Sequence, residues 1–589
     1  MTAVVGHRGE VHPSRAAWRP GSRAASLSRA PTLGAALVDW ATQRPEDVAF
    51  HLYDMAGQCV ELTAGELRRR AGGVAAGLAG CGLGAGDRVA VSLDTGPDLI
   101  VTLFGAALLG AVPVLLEPPL AEGRARVWGQ RVGQVLRCVR PGVLVAGQAA
   151  SHHLQSVAEV AGVRLMLPST VVGAAGLALP PADRDAAAVL QMTSGTLGVA
   201  KAVCLTHRAL FANAAAIAAT ARYRTDDLMV SWLPLHHDMG LTGAVISTFL
   251  HRIPVVLLPP MAFLLRPERW LWAVHRFRGT LSPAPNFAYH LCVRKVRDEA
   301  LDGLDLGSWR MMFNGAEIVN AATVHLWQER FGRYGVRPES MRPAYGMAEM
   351  GVAVAMTGPD EAPRVDYVDR EVLAGTDRAV PVRPDGAHCC AVVAVGRPLP
   401  GYQVRVVDAT GSSTVDRVQG RILVRGPSLM TGYFDDPAAT AAAIHDGWLD
   451  TGDIGYLADG ELFITGRAAD LLIVAGRNYH PYAAEAAATA LPGVRTGGAA
   501  VVGVPDPAQG TDAVAVVVES AAALRASQRD ALAEAVSRVV ADELGVRPER
   551  VLVVRPGTLP RTPSGKLRRA QIAADLTIEG RRSHDGVDL

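Results

Sequence analysis

Apolar positions along this chain recur at two alternating spacings. After the capping pattern Thr63-Ala-Gly-Glu66, Leu67, Val74 and Leu78 are the apolar positions of a predicted helix, and Arg88-Val-Ala-Val-Ser-Leu93 then reads as a strand. The same alternation returns around Val143 to Val145 and around Ile253 to Leu258, the latter after the apolar stretch 241–250. Helix and strand in alternation predict layered α/β architecture with largely parallel sheets. The run Leu99 to Leu116 is apolar enough to raise the question of a membrane span. Gly105, Gly110 and Pro113 interrupt it and Asp98 and Glu117 close it, so a buried helix followed by a strand is the expectation.

Past Arg467 the pattern shortens. Strand-like 499–504, 512–519 and 551–555 surround a helix expected to open at Ser527-Gln-Arg-Asp530. This predicts a compact α+β unit at 467–589, following a large multi-subdomain α/β unit at 31–466. The first thirty residues carry Arg8, Arg15, Arg19, Arg23 and Arg29 without an apolar core and are expected to form a flexible tail.

Composition narrows the functional classes. The chain has 589 residues, 49% hydrophobic and 20% charged, which is ample for several cores. Its 58 basic and 57 acidic residues nearly cancel, leaving no overall field to attract nucleic acid or an anionic membrane. The 7 cysteines show no metal-ligand spacing, which fits a reducing cytosol.

Lysine usage gives the sharpest chemical clue. Only three lysines occur, Lys201, Lys295 and Lys566. Arginine replaces lysine on a solvated surface, but less readily where a compact ammonium must meet phosphate oxygens. Lys201 ends Thr193-Ser194-Gly195-Thr196-Leu-Gly198-Val-Ala-Lys201, a hydroxyl- and glycine-rich loop able to wrap backbone N–H groups around a polyphosphate. A polar turn after the strand-like Ala188-Val-Leu-Gln191 is the plainer reading, and the loop lacks a Walker ending. Lys566 lies in Pro560-Arg-Thr-Pro-Ser-Gly-Lys566, which alone could be a basic surface loop.

Together with motifs spread over about residues 31–575, these residues resemble the adenylate-forming superfamily of acyl-CoA synthetases, peptide-synthetase adenylation domains, luciferases and fatty acyl-AMP ligases. The resemblance implies that 193–201 handles the β- and γ-phosphates of ATP. It also implies that Asn314-Gly315-Ala316-Glu317 and Tyr345-Gly346-Met347 wall the adenine, and that Glu349 holds Mg²⁺. Asp453 would accept the ribose hydroxyls with Arg467 beside it, and Lys566 would bridge the substrate carboxylate and the α-phosphate. Lys566, His237 and Arg467 are the catalytic candidates.

Three stretches resemble fatty acyl-AMP ligases in particular. These are Ser231-Trp-Leu-Pro-Leu-His-His237-Asp-Met-Gly-Leu241 with its two following motifs, the inserted segment Val352 to Val395, and Gly476-Arg-Asn-Tyr-His-Pro481. The implied reaction is activation of a fatty acid to acyl-AMP and transfer to a separate acyl-carrier protein. An acyl-CoA synthetase and a nucleotide-binding homologue without turnover are the alternatives. His237 by resemblance guards the acyl-pocket entrance; a partly buried structural histidine is the other reading. Ala469 stands where the family often has a Lys or Asp hinge, and Tyr482-Ala-Ala-Glu485 departs from the usual Gln-Asp-Ile-Glu.

Overall fold

The computed structural model describes residues 24–119, 125–173, 180–194, 200–386, 388–474, 477–506, 511–562 and 566–584. Five parallel strands run side by side at its centre: Val255–Leu257, Met229–Ser231, Leu281–Ala284, Met311–Asn314 and Met341–Tyr345. Apolar stretches form them because both faces of the sheet are covered, so the first four are buried throughout. The strands Ala355–Met356 and Arg397–Pro398 extend one edge, Val48–Tyr53 and Cys59–Thr63 the other. A second parallel sheet orders Val112–Leu115, Arg88–Ser92, Val143–Ala146 and Arg164–Met166.

The apolar run resolves into the fully packed helix Pro97–Leu109 and the strand Val112–Leu115. Gly110 ends the helix in the left-handed region (φ +74°), a conformation that glycine adopts at no steric cost. No described helix is long and apolar enough to cross a membrane. The other apolar stretch forms a π-helix, Met239–Ile246, continuing into Ser247–Leu250. Such a π segment is a rare element, frequent at functional sites.

Two sequence expectations need revision. Within the supposed tail 1–30, residues from Ala24 onward lie against the body. Ala25 N donates to Tyr223 O at 2.9 Å and Ser28 N to Leu250 O at 2.7 Å, because an extended segment satisfies exposed backbone acceptors there. The late helix spans Ala526–Leu544, so Ser527 sits inside its first turn instead of capping it. Gln528 supplies the cap, its side-chain oxygen accepting from Arg525 N at 3.1 Å.

Among the described residues, no buried cluster mixes side chains from before and after Arg467. Leu472, Ala484, Val501, Val516, Val536 and Val540 belong to a core of the C-terminal part, and Ala500, Val517, Ile572 and Leu576 to another on the opposite sheet face. Its sheet joins Val494–Asp506, Thr511–Ser520 and Arg550–Val554. Between 352 and 395, Val365–Asp369 and Cys389–Val393 pair as antiparallel strands, with the helix Arg370–Thr376 between them.

Candidate active site

A cavity of about 910 Å³ opens at the carboxyl ends of the central parallel strands, where α/β sheets commonly bind ligands. Pro560, Arg561, Lys566, Arg568 and Gln571 of the C-terminal part also line it. Its lining combines polar groups with apolar or aromatic side chains such as Ile217, Tyr223, Met229, Phe313 and Met356, and includes Gly243 of the π-helix.

Tyr345 is the last residue of its strand, and its Oη donates to Asp453 Oδ2 at 2.7 Å. The next residue must be glycine: a Cβ at Gly346 would lie 1.8 Å from Val352 O, so only a bare backbone lets the chain pass. Asp453 sits on the strand Trp448–Ala458 directly opposite Arg467, whose Nε donates to Asp453 Oδ1 at 2.9 Å. Both oxygens of one carboxylate are thereby fixed in orientation by groups on two different sheets.

Gly315 and Ala316 line the cavity, and Ala316 holds φ +64°, a strained value for a side chain with Cβ. Asn314 stands behind that wall, fully buried, its amide donating to Asn286 Oδ1 at 3.4 Å. Glu317 accepts from Phe287 N at 2.6 Å. Desolvation by the protein around it pushes its pKa up, while the Phe287 amide and the Lys566 and Arg561 charges oppose that. Met347 also lines the cavity.

Glu349 lies in a short 3₁₀ turn, Ala348–Met350, and its Oε1 accepts from Tyr433 Oη at 2.9 Å. Burial raises its pKa, with the Tyr433 hydrogen bond acting in the opposite direction. Lys201 pairs across a hairpin with Thr193 and points its Nζ at the Tyr433 ring, 4.6 Å from the centroid. Thr193 lines the cavity with Lys201. Ser194 continues the same strand, whereas Gly195, Thr196 and Gly198 fall outside the described residues.

His237 borders the cavity, its Nδ1 3.0 Å from Asp238 Oδ1. Burial opposes ionisation of Asp238, yet the His237 hydrogen bond and the positive field of Lys566 hold its pKa below the usual carboxylate value. Lys566 has the opposite shift. Desolvation by the protein packed around the cavity and the neighbouring Arg467 lower its pKa, and the carboxylates of Asp238, Asp453 and Glu317 pull it back up. Its loop is closed by Thr562 N donating to Lys566 O at 2.8 Å and Lys566 N to Thr562 Oγ1 at 3.1 Å.

The site therefore gathers Lys201, His237, Tyr345, Glu349, Asp453, Arg467 and Lys566 around one cavity. Lysine and arginine side chains meet carboxylates there, among apolar lining residues. That arrangement suits a polyphosphate and a hydrophobic carboxylate held side by side. Sequence reasoning missed Asp238, Arg561 and Tyr433. Asp238 carried a usable signal, a carboxylate adjacent to a histidine; Tyr433 carried none, lying 84 positions from its partner Glu349.

Comparison with known proteins gives the family. Residues 37–434 match the AMP-binding enzyme family and residues 483–566 the AMP-binding enzyme C-terminal domain. A putative ligase of Mycobacterium tuberculosis is 35% identical over 521 residues, covering 88% of this chain and 95% of that protein. A long-chain-fatty-acid AMP ligase of Mycobacterium marinum is 33% identical over 581 residues, 92% of this chain and 97% of that one. A solved structure from work on the fatty acyl-adenylate ligases of E. coli and L. pneumophila superimposes with TM-score 0.89 at 31% identity. The match covers 95% of this chain and 100% of that one.

Proposed function

This chain belongs to the AMP-binding enzyme family, and on that premise we propose that it is a fatty acyl-AMP ligase. It activates a fatty acid with ATP, releases pyrophosphate, and passes the acyl group to the phosphopantetheine thiol of a separate acyl-carrier protein. The observation that carries the reading is the position of Lys566, which lines one cavity with Asp453, Arg467, Glu349 and apolar side chains.

In the first half-reaction a carboxylate oxygen attacks the α-phosphorus, the bond to the β-phosphate oxygen breaks, and pyrophosphate leaves. Two anions must approach one another, so the barrier is largely electrostatic. Lys566 offsets that repulsion between carboxylate and α-phosphate, Lys201 and residues 193–198 hold the β- and γ-phosphates, and Asp453 with Arg467 holds the ribose. Gly315, Ala316, Tyr345, Gly346 and Met347 wall the base, with Asn314 and Glu317 bracing that wall. His237, oriented by Asp238, stands where the acyl carboxylate enters. Alignment of the two reactants supplies much of the remaining acceleration. In the second half-reaction a thiolate attacks the acyl carbon and AMP departs with the bonding electrons.

Glu349 fits Mg²⁺: it presents a hard carboxylate inside the cavity, with one oxygen steadied by Tyr433. Among the described residues no group of three or more His, Cys, Asp or Glu side chains could form a protein cage. A cation here would thus draw most of its ligands from phosphate and water. When bound, it would neutralise phosphate charge. The 7 free cysteines support a reducing, cytosolic location.

The test is ATP–pyrophosphate exchange against a series of fatty acids, followed by carrier protein and CoA offered in parallel. Exchange with some chain length and acyl transfer to the carrier are expected. Lys566→Ala should lower exchange about 10²–10³-fold. Background exchange with every acid by folded protein in Mg²⁺ overturns the reading, and acyl-CoA as the main product overturns the carrier assignment.

A further inference from the structure

Tyr433 belongs to none of the motifs assigned above, yet it touches both sides of the phosphate end of the cavity. The short strand Gly432–Tyr433 pairs antiparallel with Ala200–Thr206, Tyr433 opposite Val203, and Phe434 N donates to Ala202 O at 2.8 Å. This pairing sets the ring beside Lys201, with Nζ 4.6 Å from the ring centroid. Three residues earlier Met430 N donates to Glu349 O at 2.8 Å, so the same segment also fixes the backbone of the acidic turn. Tyr433 Oη then donates to Glu349 Oε1 at 2.9 Å. The amide of Tyr433 is itself held, donating to Thr440 Oγ1 at 2.9 Å.

Resting on the function proposed above, we propose that Tyr433 is a positioning residue that aims the Glu349 carboxylate at the metal of the ATP complex and seats Lys201 for its phosphates. The two tasks fall to two parts of one side chain. The hydroxyl orients the carboxylate, which lines the cavity where it would meet the cation. The ring face attracts the lysine ammonium and keeps it from swinging into solvent when no phosphate is present. Groups that orient a metal ligand through hydrogen bonds typically change metal affinity about 10–100-fold when removed.

The test measures binding directly, with Mn²⁺ as the probe, by paramagnetic resonance in the presence of a non-hydrolysable ATP analogue and no acid. Tyr433→Phe removes the hydroxyl and keeps the ring. It should weaken Mn²⁺ binding about 10-fold while the analogue's metal-free affinity stays within about twofold. Tyr433→Leu removes both and should weaken nucleotide binding as well. In a Glu349→Gln background Tyr433→Phe should have no further effect on Mn²⁺, which a merely structural role would not predict. Unchanged Mn²⁺ affinity in Tyr433→Phe, or an equal loss with and without Glu349, overturns the proposal. Wild-type protein that binds the Mn²⁺–nucleotide pair but activates no acid overturns only the functional reading, because this measurement involves no acid.

Discussion

Arg370 Nη1 donates to the main-chain oxygen of Asp542 at 2.9 Å and also to that of Glu543. Those carbonyls close the helix Ala526–Leu544, whose last turn leaves acceptors without intrahelical partners and carries the negative end of the helix dipole. Arg370 begins the helix that joins the strands Val365–Asp369 and Cys389–Val393, the hairpin. The hairpin is tied to the large domain through Asp366, which accepts from Arg417 at 2.9 Å and from Tyr456 at 2.7 Å. A continuous chain of contacts thus runs from the large domain through the hairpin to the C-terminal part.

Arg370→Ala should loosen that chain. A hydrogen bond from a charged donor contributes about 1.5–3 kcal/mol, less where water reaches it, so the lobes should separate more often without unfolding. Limited proteolysis between Arg467 and Leu471 should accelerate several-fold, and CoA should become a measurable acceptor. An unchanged cleavage rate would show that the contact does not restrain the lobe.

Asp453 and Arg467 should behave as a unit. Asp453→Asn preserves shape but leaves Arg467 without its charge partner. The Asp453 side chain is 8% exposed and that of Arg467 44%, so only the buried half of the pair is expensive to disturb. The KM for ATP should rise at least about tenfold, since each 1.4 kcal/mol is one decade. Tyr345→Phe removes a single hydrogen bond of about 1 kcal/mol and should raise it about fivefold. A larger effect for Tyr345→Phe than for Asp453→Asn would contradict the proposed ribose role.

Much of this site is readable from contiguous motifs. Lys201, Asp453, Arg467 and Lys566 sit in short segments whose residue types suit the proposed chemistry, so order along the chain points to them. Tyr433 and Arg370 are invisible in the same text. Each acts on a group 84 or more positions away, and only packing decides that Tyr433 meets Glu349 or that Arg370 meets the end of a late helix. The π-helix is hidden for another reason: every position from Gly240 to Ile246 except Gly243 is buried, so no polar face reveals its turn. Asn314 belongs to a legible motif, but whether its amide faces the cavity or the core could not be read.

Glu485 and Arg569 anchor the loop that carries Lys566. Arg569 donates to both Glu485 oxygens, at 2.9 and 2.6 Å, and to Asp470 at 2.9 Å, next to Ala469. Both members are largely buried, so breaking the pair should cost about 3–5 kcal/mol. Glu485→Ala should lower the melting temperature of the C-terminal part and reduce kcat for exchange more than it raises the KM for ATP. Equal changes in the two parameters would place the effect on nucleotide binding instead.

Histidine burial sets an acid limit on stability. Nδ1 of His207 accepts from Leu33 N at 3.3 Å, and burial pushes its pKa from 6.5 down to about 4. Burial, with the nearby His237, lowers His236 to about 3. As pH falls through 6.5 the unfolded chain takes up these protons, while the folded chain cannot until near pH 4. Stability is therefore complete above about pH 6.5 and lost progressively down to about pH 4, where the His207 contribution levels off. At about 1.4 kcal/mol for each pH unit between the two values, His207 alone accounts for on the order of 3 kcal/mol. His207→Gln keeps a polar side chain able to accept from Leu33 N but does not titrate. Its urea midpoint should fall less steeply between pH 6.5 and 4.5 than that of the wild type, and parallel slopes would exclude His207 as the source.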